Sequence, residues 1–491
     1  MSPSSRGLVP GLFLALVAAL GVLTANNHWL FPAQGETGAR YVLSAPALAR
    51  GEIPITPWIP SGHTTPQNAL AGRAPLMPAL MAGLIHQGVR PHVSALWILA
   101  GSAALVVLGV SWVTGGVAGM AGALATALIL MVAPLSLETV TVLGPDALLA
   151  ATSAFLLGAM TYRPKASAIH GALGAMAWLA HPAGLGLLAV SIVWPFSRRD
   201  AAGARRFLLA GTAVLPALLL MAAGLRHPLL RLPVLPGGAT SSAGGALSGA
   251  MAFLGAGLPG AAGVVLGGGL GLLLIGLVVA EARATPPPPS PVHWSDPAAR
   301  DALALAFRPA AALVALGALL GAWAAGTPED PSAPWFAATV PAAALAGTAV
   351  VRWTRRQTSG HRWVPLAILT VWLAASAMGS RHTLRDLRET GRGYTSAHWV
   401  DSPVIRWIDN RSGPYAILYA DQPALVFLQT GRPSRELDLG SRGLEAFVSD
   451  FEEEPGALVL TGGALPVADT LASRLDLRVL AEDPRGRALG R

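Results

Sequence analysis

Gln34–Thr56 reads QGETGARYVLSAPALARGEIPIT, and Arg73–Leu80 follows with RAPLMPAL. Both stretches lie between an apolar run at 8–25 and another at 93–113, and between them the run 75–88 is again apolar. Whether 75–88 crosses a membrane or lies flat on it sets the topology of everything up to residue 167. The same stretch holds Glu36, Arg40 and Arg73, in a region poor in acids. Up to residue 145 the only acidic residues are Glu36, Glu52 and Glu138, and the first aspartate is Asp146. An ionisable group kept beside a membrane is a functional-site candidate, because desolvating it is costly.

The surrounding chain is a membrane protein by composition. Its 491 residues are 53% hydrophobic and 12% charged, with a mean hydropathy of +0.53, whereas soluble domains carry about 25% charged residues. With no cysteine, disulfides, thiolate metal sites and cysteine nucleophiles are excluded. The net charge of +8 is unevenly spread: residues 1–379 carry 20 basic and 10 acidic side chains, and residues 380–491 carry 14 and 16. Basic excess in short membrane loops is the positive-inside signal and not a nucleic-acid footprint. Leu8–Thr24 is expected to be an uncleaved first span, since no A-x-A-like site and soluble domain follow it.

Apolar runs predict about 11 spans, near 8–25, 93–113, 117–133, 142–160, 168–180, 183–196, 207–224, 249–280, 302–325, 336–351 and 363–379. Counting basic loops favours 75–88 lying in the interface. Tyr162–Lys165, Ser197–Arg206, the 281–301 linker and Arg352–Arg362 then share the cytoplasmic side. His181-Pro182 becomes a break between two short spans, and loop 26–92 faces outward with His181 and the C-terminal region. Gly255–Gly260 spells G-x-G-x-x-G, but it has an internal proline, no preceding strand and no acid before Glu281. Close span packing explains it better than a dinucleotide site. The 286–291 run PPPPSP is a polyproline linker.

From about residue 398 the pattern alternates. Helices are predicted at Asp401–Asn410, Leu444–Phe451 and Val467–Leu475, and strands at Tyr415–Ala420, Ala457–Thr461 and Leu475–Leu480. The chain therefore divides into a membrane domain, 1–379, and a small external α/β domain, 380–491.

Within the first loop, Gly38–Arg50 is predicted to be an interfacial helix with Glu36 just before it, where the helix dipole favours a carboxylate. Arg40 is placed to pair with Glu36 if the helix starts early, and Pro46 is expected to kink it. A second interfacial helix follows Arg73.

The order of these elements resembles the GT-C superfamily of membrane glycosyltransferases, in the branch of protein mannosyltransferases and the lipid A aminoarabinose transferase. The stretches that carry the resemblance are GETGARYVLSAPALARG (35–51), RAPLMPAL (73–80), LGPDALLAATSAFLLGA (143–159), WLAHPAGLGLL (178–188) and ILYADQPALVFLQTGRPSREL (417–437). It implies inverting transfer of a hexosyl or pentosyl group from a polyprenyl-phosphate carrier to an external acceptor, in the plasma or inner membrane. Glu36 is then the candidate general base, Arg73 the preferred contact to the donor phosphate, and Arg40 and His181 its alternatives. Tyr41 and Asp146 are possible accessory residues. The partners implied are the lipid-linked sugar, membrane lipids and an acceptor that is a protein, a lipid or a polysaccharide, with no nucleic acid. No cofactor is called for, a divalent metal is left open, and His28, His63 and His86 form no ligand motif.

Departures from the family pattern stand beside the matches. Gly35 occupies a position where many relatives carry Asp, and Ala333–Pro341 (APWFAATVP) replaces an Arg-Tyr pair. They motivate a second reading, a catalytically silent lipid-binding or scaffold protein of the envelope. A transporter is the third, opposed by charges that sit in loops and not at mid-span. Residue by residue, Glu36 and Asp146 also read as helix-capping acids, Arg40 and Arg73 as lipid head-group contacts, and His181 as a satisfied turn histidine.

Overall fold

A computed structural model describes residues 5–26, 33–60, 63, 65–70, 73–197, 297–324, 336–356, 363–391, 393–411, 413, 417–437 and 443–491, with 202, 205, 208 and 276 as isolated positions. Apart from positions 208 and 276, the expected spans near 207–224 and 249–280 lie outside these residues, as do the G-x-G-x-x-G stretch and the proline-rich linker.

Twelve helices occupy the described part of 1–389. They are α1 (Ser5–Asn26), α2 (Glu36–Ala49), α3 (Leu76–His86), α4 (Pro91–Ala118), α5 (Met120–Val132), α6 (Pro134–Thr141), α7 (Asp146–Tyr162), α8 (Ser167–Ala180), α9 (Gly184–Ser197), α10 (Pro297–Ala324), α11 (Phe336–Arg356) and α12 (Val364–Glu389). Five of them, α1, α4, α10, α11 and α12, are long and apolar enough to cross a membrane, or six if α5 and α6, bent by 69° at Ala133-Pro134, form one broken span. Helices α3, α7, α8 and α9 are apolar but shorter. The protein is thus a multi-pass membrane protein.

The run that decides topology is a helix of 11 residues, α3. At 1.5 Å per residue it is about 17 Å long, roughly half the hydrocarbon thickness, so it is too short to cross. Helix α2 begins two residues earlier than predicted and runs through Pro46 without a break. His181 and Pro182 separate α8 from α9, as the proline suggested.

The C-terminal region carries a five-stranded sheet. Its strands are β3 (Leu418–Ala420), β4 (Arg435–Glu436), β5 (Ala457–Thr461), β6 (Arg478–Asp483) and β7 (Gly486–Gly490), in the order β4-β3-β5-β7-β6. Strands β4, β3 and β5 are parallel, and β7 is antiparallel to both β5 and β6. Helices at Pro403–Arg411, Pro423–Thr430, Gly443–Glu453 and Ala468–Leu475 accompany it. The third predicted strand starts later than expected, because Asp476 caps the preceding helix in the left-handed conformation, φ 50°.

Two contacts tie the first loop to the rest. A short parallel pair, β1 (Ala33–Gln34) on β2 (Val142–Leu143), precedes α2 and α7 and brings their N-termini together. Ile59 bridges to Arg435 at the edge strand β4, donating its N–H to Ser434 O at 3.0 Å and accepting from Glu436 N at 2.8 Å. Helix α2 is consequently apolar on two sides. Tyr41, Val42 and Ala45 pack with Met77, Met81 and Leu148, whereas Ala39 joins Trp58, Trp399, Trp407 and Leu425 in the core under the sheet.

Candidate active site

Glu36 is the first residue of α2, where unpaired backbone N–H groups and the helix dipole favour a carboxylate. One turn on, Arg40 donates from Nε to Glu36 Oε1 at 2.5 Å, and both side chains are largely buried, at 14% and 12% exposure. The early helix start is what makes this pair possible, since residues four apart share a helix face. The Arg40 guanidinium also lies over the Trp58 ring, 5.0 Å from its centroid, a cation–π geometry. Trp58 is itself fully buried.

The other oxygen, Oε2, accepts from the Tyr394 hydroxyl at 3.4 Å. Arg73, from the turn before α3, donates to the Thr37 hydroxyl, so its guanidinium stands beside the residue that follows Glu36. The loop thus brings Arg73 to the first turn of α2, the same turn that carries Glu36.

Asp146 opens α7 as Glu36 opens α2. His181, in the break between α8 and α9, faces it with Nε2 3.5 Å from Oδ1. The Ala183 N–H donates to His181 Nδ1 at 2.9 Å, which makes Nδ1 an acceptor and leaves the ring proton on Nε2, toward Asp146. Burial pushes the His181 ring down to about 4, so it is neutral at physiological pH. Tyr41 is buried where both Arg73 and Asp146 act on it. Burial pushes its hydroxyl up, Arg73 opposes this and Asp146 adds to it, so Tyr41 stays a protonated donor.

The site residues expected from sequence therefore fall into two connected groups: Glu36 with Arg40 and Arg73, and Asp146 with His181, with Tyr41 between Arg73 and Asp146. Tyr394, Trp58 and Thr37 were missed. A tryptophan bracketed by Pro57 and Pro60, and one of only five tyrosines in a polar joint after the last span, were the available signals. Among the described residues no group of three or more His, Asp or Glu side chains is arranged to hold a metal ion.

No protein family profile and no curated protein sequence matches the chain. Solved structures do. ArnT from Cupriavidus metallidurans bound to undecaprenyl phosphate superposes with a TM-score of 0.59 at 15% identity, over 97% of both chains. The archaeal oligosaccharyltransferase AglB from Archaeoglobus fulgidus, in complex with an inhibitory peptide and a dolichol-phosphate, superposes with a TM-score of 0.52 at 13% identity. That match spans 92% of this chain and 69% of the other. Both are GT-C superfamily members, and at these identities the likeness is one of architecture. This chain has the GT-C fold.

Proposed function

We propose that this chain is a membrane glycosyltransferase that moves a sugar from a polyprenyl-phosphate carrier to an acceptor on the external face. The observation that carries the reading is the delivery of Arg73 to Thr37, directly beside Glu36, at the N-terminus of α2. Two of the solved structures of this fold are complexes with undecaprenyl phosphate and a dolichol-phosphate, which supports a lipid-phosphate carrier here.

The chemistry follows from the charges. Glu36 takes the proton of the acceptor hydroxyl through Oε2, while Oε1 stays with Arg40. The acceptor oxygen bonds to the anomeric carbon as the bond from that carbon to the phosphate oxygen breaks, inverting the configuration. The electron pair leaves on the polyprenyl phosphate, whose growing charge is stabilised by Arg73 with forked hydrogen bonds. Arg40 is the alternative phosphate contact. Asp146, oriented by neutral His181, and protonated Tyr41 orient the donor or the acceptor from the α7 side.

A second reading, a silent lipid-binding or scaffold protein, is favoured by the closed Glu36–Arg40 pair and by Gly35. Turnover of a polyprenyl-phosphate-linked sugar in lipid vesicles, with lipid, glycan and peptide acceptors offered, separates the two. Release of polyprenyl phosphate that Glu36→Gln abolishes and Arg73→Ala depresses is the expected result. Full turnover in Glu36→Gln would remove Glu36 as base, and lipid binding without turnover in the wild type would favour the scaffold.

A further inference from the structure

We infer that the C-terminal α/β region supplies a positioning residue for the membrane site: Tyr394 holds the Glu36 carboxylate from the side opposite Arg40. This rests on the reading of Glu36 as general base. It assigns the C-terminal region a part in the reaction beyond packing against α2 and the first loop.

Three observations carry it. The first is that each Glu36 oxygen has its own partner, Oε1 from Arg40 at 2.5 Å and Oε2 from the Tyr394 hydroxyl at 3.4 Å. A carboxylate gripped through one oxygen still swings about its last torsion, which is broad for Glu. A second donor from another direction stops that swing, as catalytic geometry requires.

The second is how Tyr394 is mounted. The chain leaves α12 at Glu389 and turns through Gly391 and Gly393, at φ 70° and 63°, a conformation side chains resist. Ala397 N closes the turn on Thr390 O at 2.7 Å. Gln429, on the helix Pro423–Thr430 beside the sheet, donates Nε2 to Tyr394 O at 2.5 Å. The ring packs in the same core as Trp399, Trp407 and Leu425.

The third is that this core also contains Trp58 and Ala39. Trp58 backs Arg40, and its neighbour Ile59 is stitched to edge strand β4. Both partners of Glu36 are thereby referenced to one packed core, that of the sheet and its helices. Among the described residues, the charged and titratable groups linked to Glu36 by these contacts are Arg40 on its own helix, Tyr394 from the C-terminal side and Arg73 beyond Thr37, with Tyr41, Asp146 and His181 reached in turn through Arg73.

The test needs a readout that mere structural support would not move. The Glu36 carboxylate is followed by its infrared band, identified by subtracting the Glu36→Gln spectrum, in wild type, Tyr394→Phe and Gln429→Ala protein. Losing the donor on Oε2 while Arg40 keeps Oε1 makes the two C–O bonds of the carboxylate less alike. The antisymmetric carboxylate stretch is therefore expected at higher frequency in Tyr394→Phe, and Gln429→Ala moves it the same way by less. In turnover assays kcat of Tyr394→Phe falls about tenfold, and KM for the lipid-linked sugar is unchanged. An unmoved band in Tyr394→Phe overturns the inference whatever happens to turnover. A moved band with Glu36→Gln still fully active leaves the contact standing and overturns only the role of Glu36 as base.

Discussion

Gly38 rests against the carbonyl of Leu143: a Cβ at this position would stand 2.5 Å from that oxygen. The contact brings α2 down onto β2 and places the two acid-bearing helix starts side by side. Gly38→Ala must push α2 away from backbone, which cannot yield as a flexible side chain would. A loss of about 1–3 kcal/mol in stability is expected, with turnover falling further than the melting temperature suggests. Thermal unfolding and turnover measured together check it, and wild-type values in both would show that α2 does not depend on this approach.

Arg40→Ala leaves a mostly buried carboxylate without its guanidinium and Trp58 without its cation. The expected cost is about 1–3 kcal/mol, the penalty of stranding a buried charged group. Arg40→Lys restores the charge without the planar fork and recovers only part of it. Melting temperatures of the two variants at one pH decide the order.

His181 has a depressed folded-state pKa, so it favours the folded protein above its unfolded value, near 6.5, and that stability is lost as pH falls toward about 4. The melting temperature should fall across that window. His181→Asn keeps an acceptor for the Ala183 N–H, as an Asx turn does, and has nothing to protonate. Its melting temperature should fall less between pH 6.5 and 4.

Asp421 behaves in the opposite sense. It follows β3 and accepts from the Thr461 N–H and hydroxyl, both at 2.9 Å, and burial raises it to about 7 despite these bonds. Its protonated form fits the fold, so stability is fullest below the unfolded value of 3.8 and is lost as pH rises through about 7. Asp421→Asn is expected to flatten this loss and to melt higher than wild type at pH 8. A variant that melts lower there would show that the ionised carboxylate is the form the sheet requires.

Arg73→Ala removes the guanidinium but leaves Glu36 and Arg40 paired. KM for the lipid-linked sugar should rise and kcat fall, about a hundredfold together in kcat/KM, the effect of losing a charge-assisted contact to the leaving phosphate. An effect confined to protein yield would place Arg73 outside the site.

Much of this was legible in the chain. Apolar length marked the five helices long enough to cross a membrane, Pro182 marked the break after α8, and spacing marked the Glu36–Arg40 pair, because these depend on residues within one turn or one helix. The hairpin β6-β7 was also written locally: Asp483-Pro484-Arg485-Gly486 has Asp, Pro and Gly where a type I turn wants them, and it was overlooked. Strand β4 is only two residues long, and its identity comes from its pairing with β3, which no local pattern announces.

The sequence by itself determined a multi-pass helical protein with a rare carboxylate at the start of a loop helix, because hydrophobicity and helical spacing are short-range properties. Which groups surround that carboxylate was decided only by tertiary structure. Tyr394 lies 358 residues away from Glu36, Arg73 is joined to Thr37 across a loop, and His181 meets Asp146 through a helix break. Each of these contacts exists because packing and strand pairing closed a long stretch of chain.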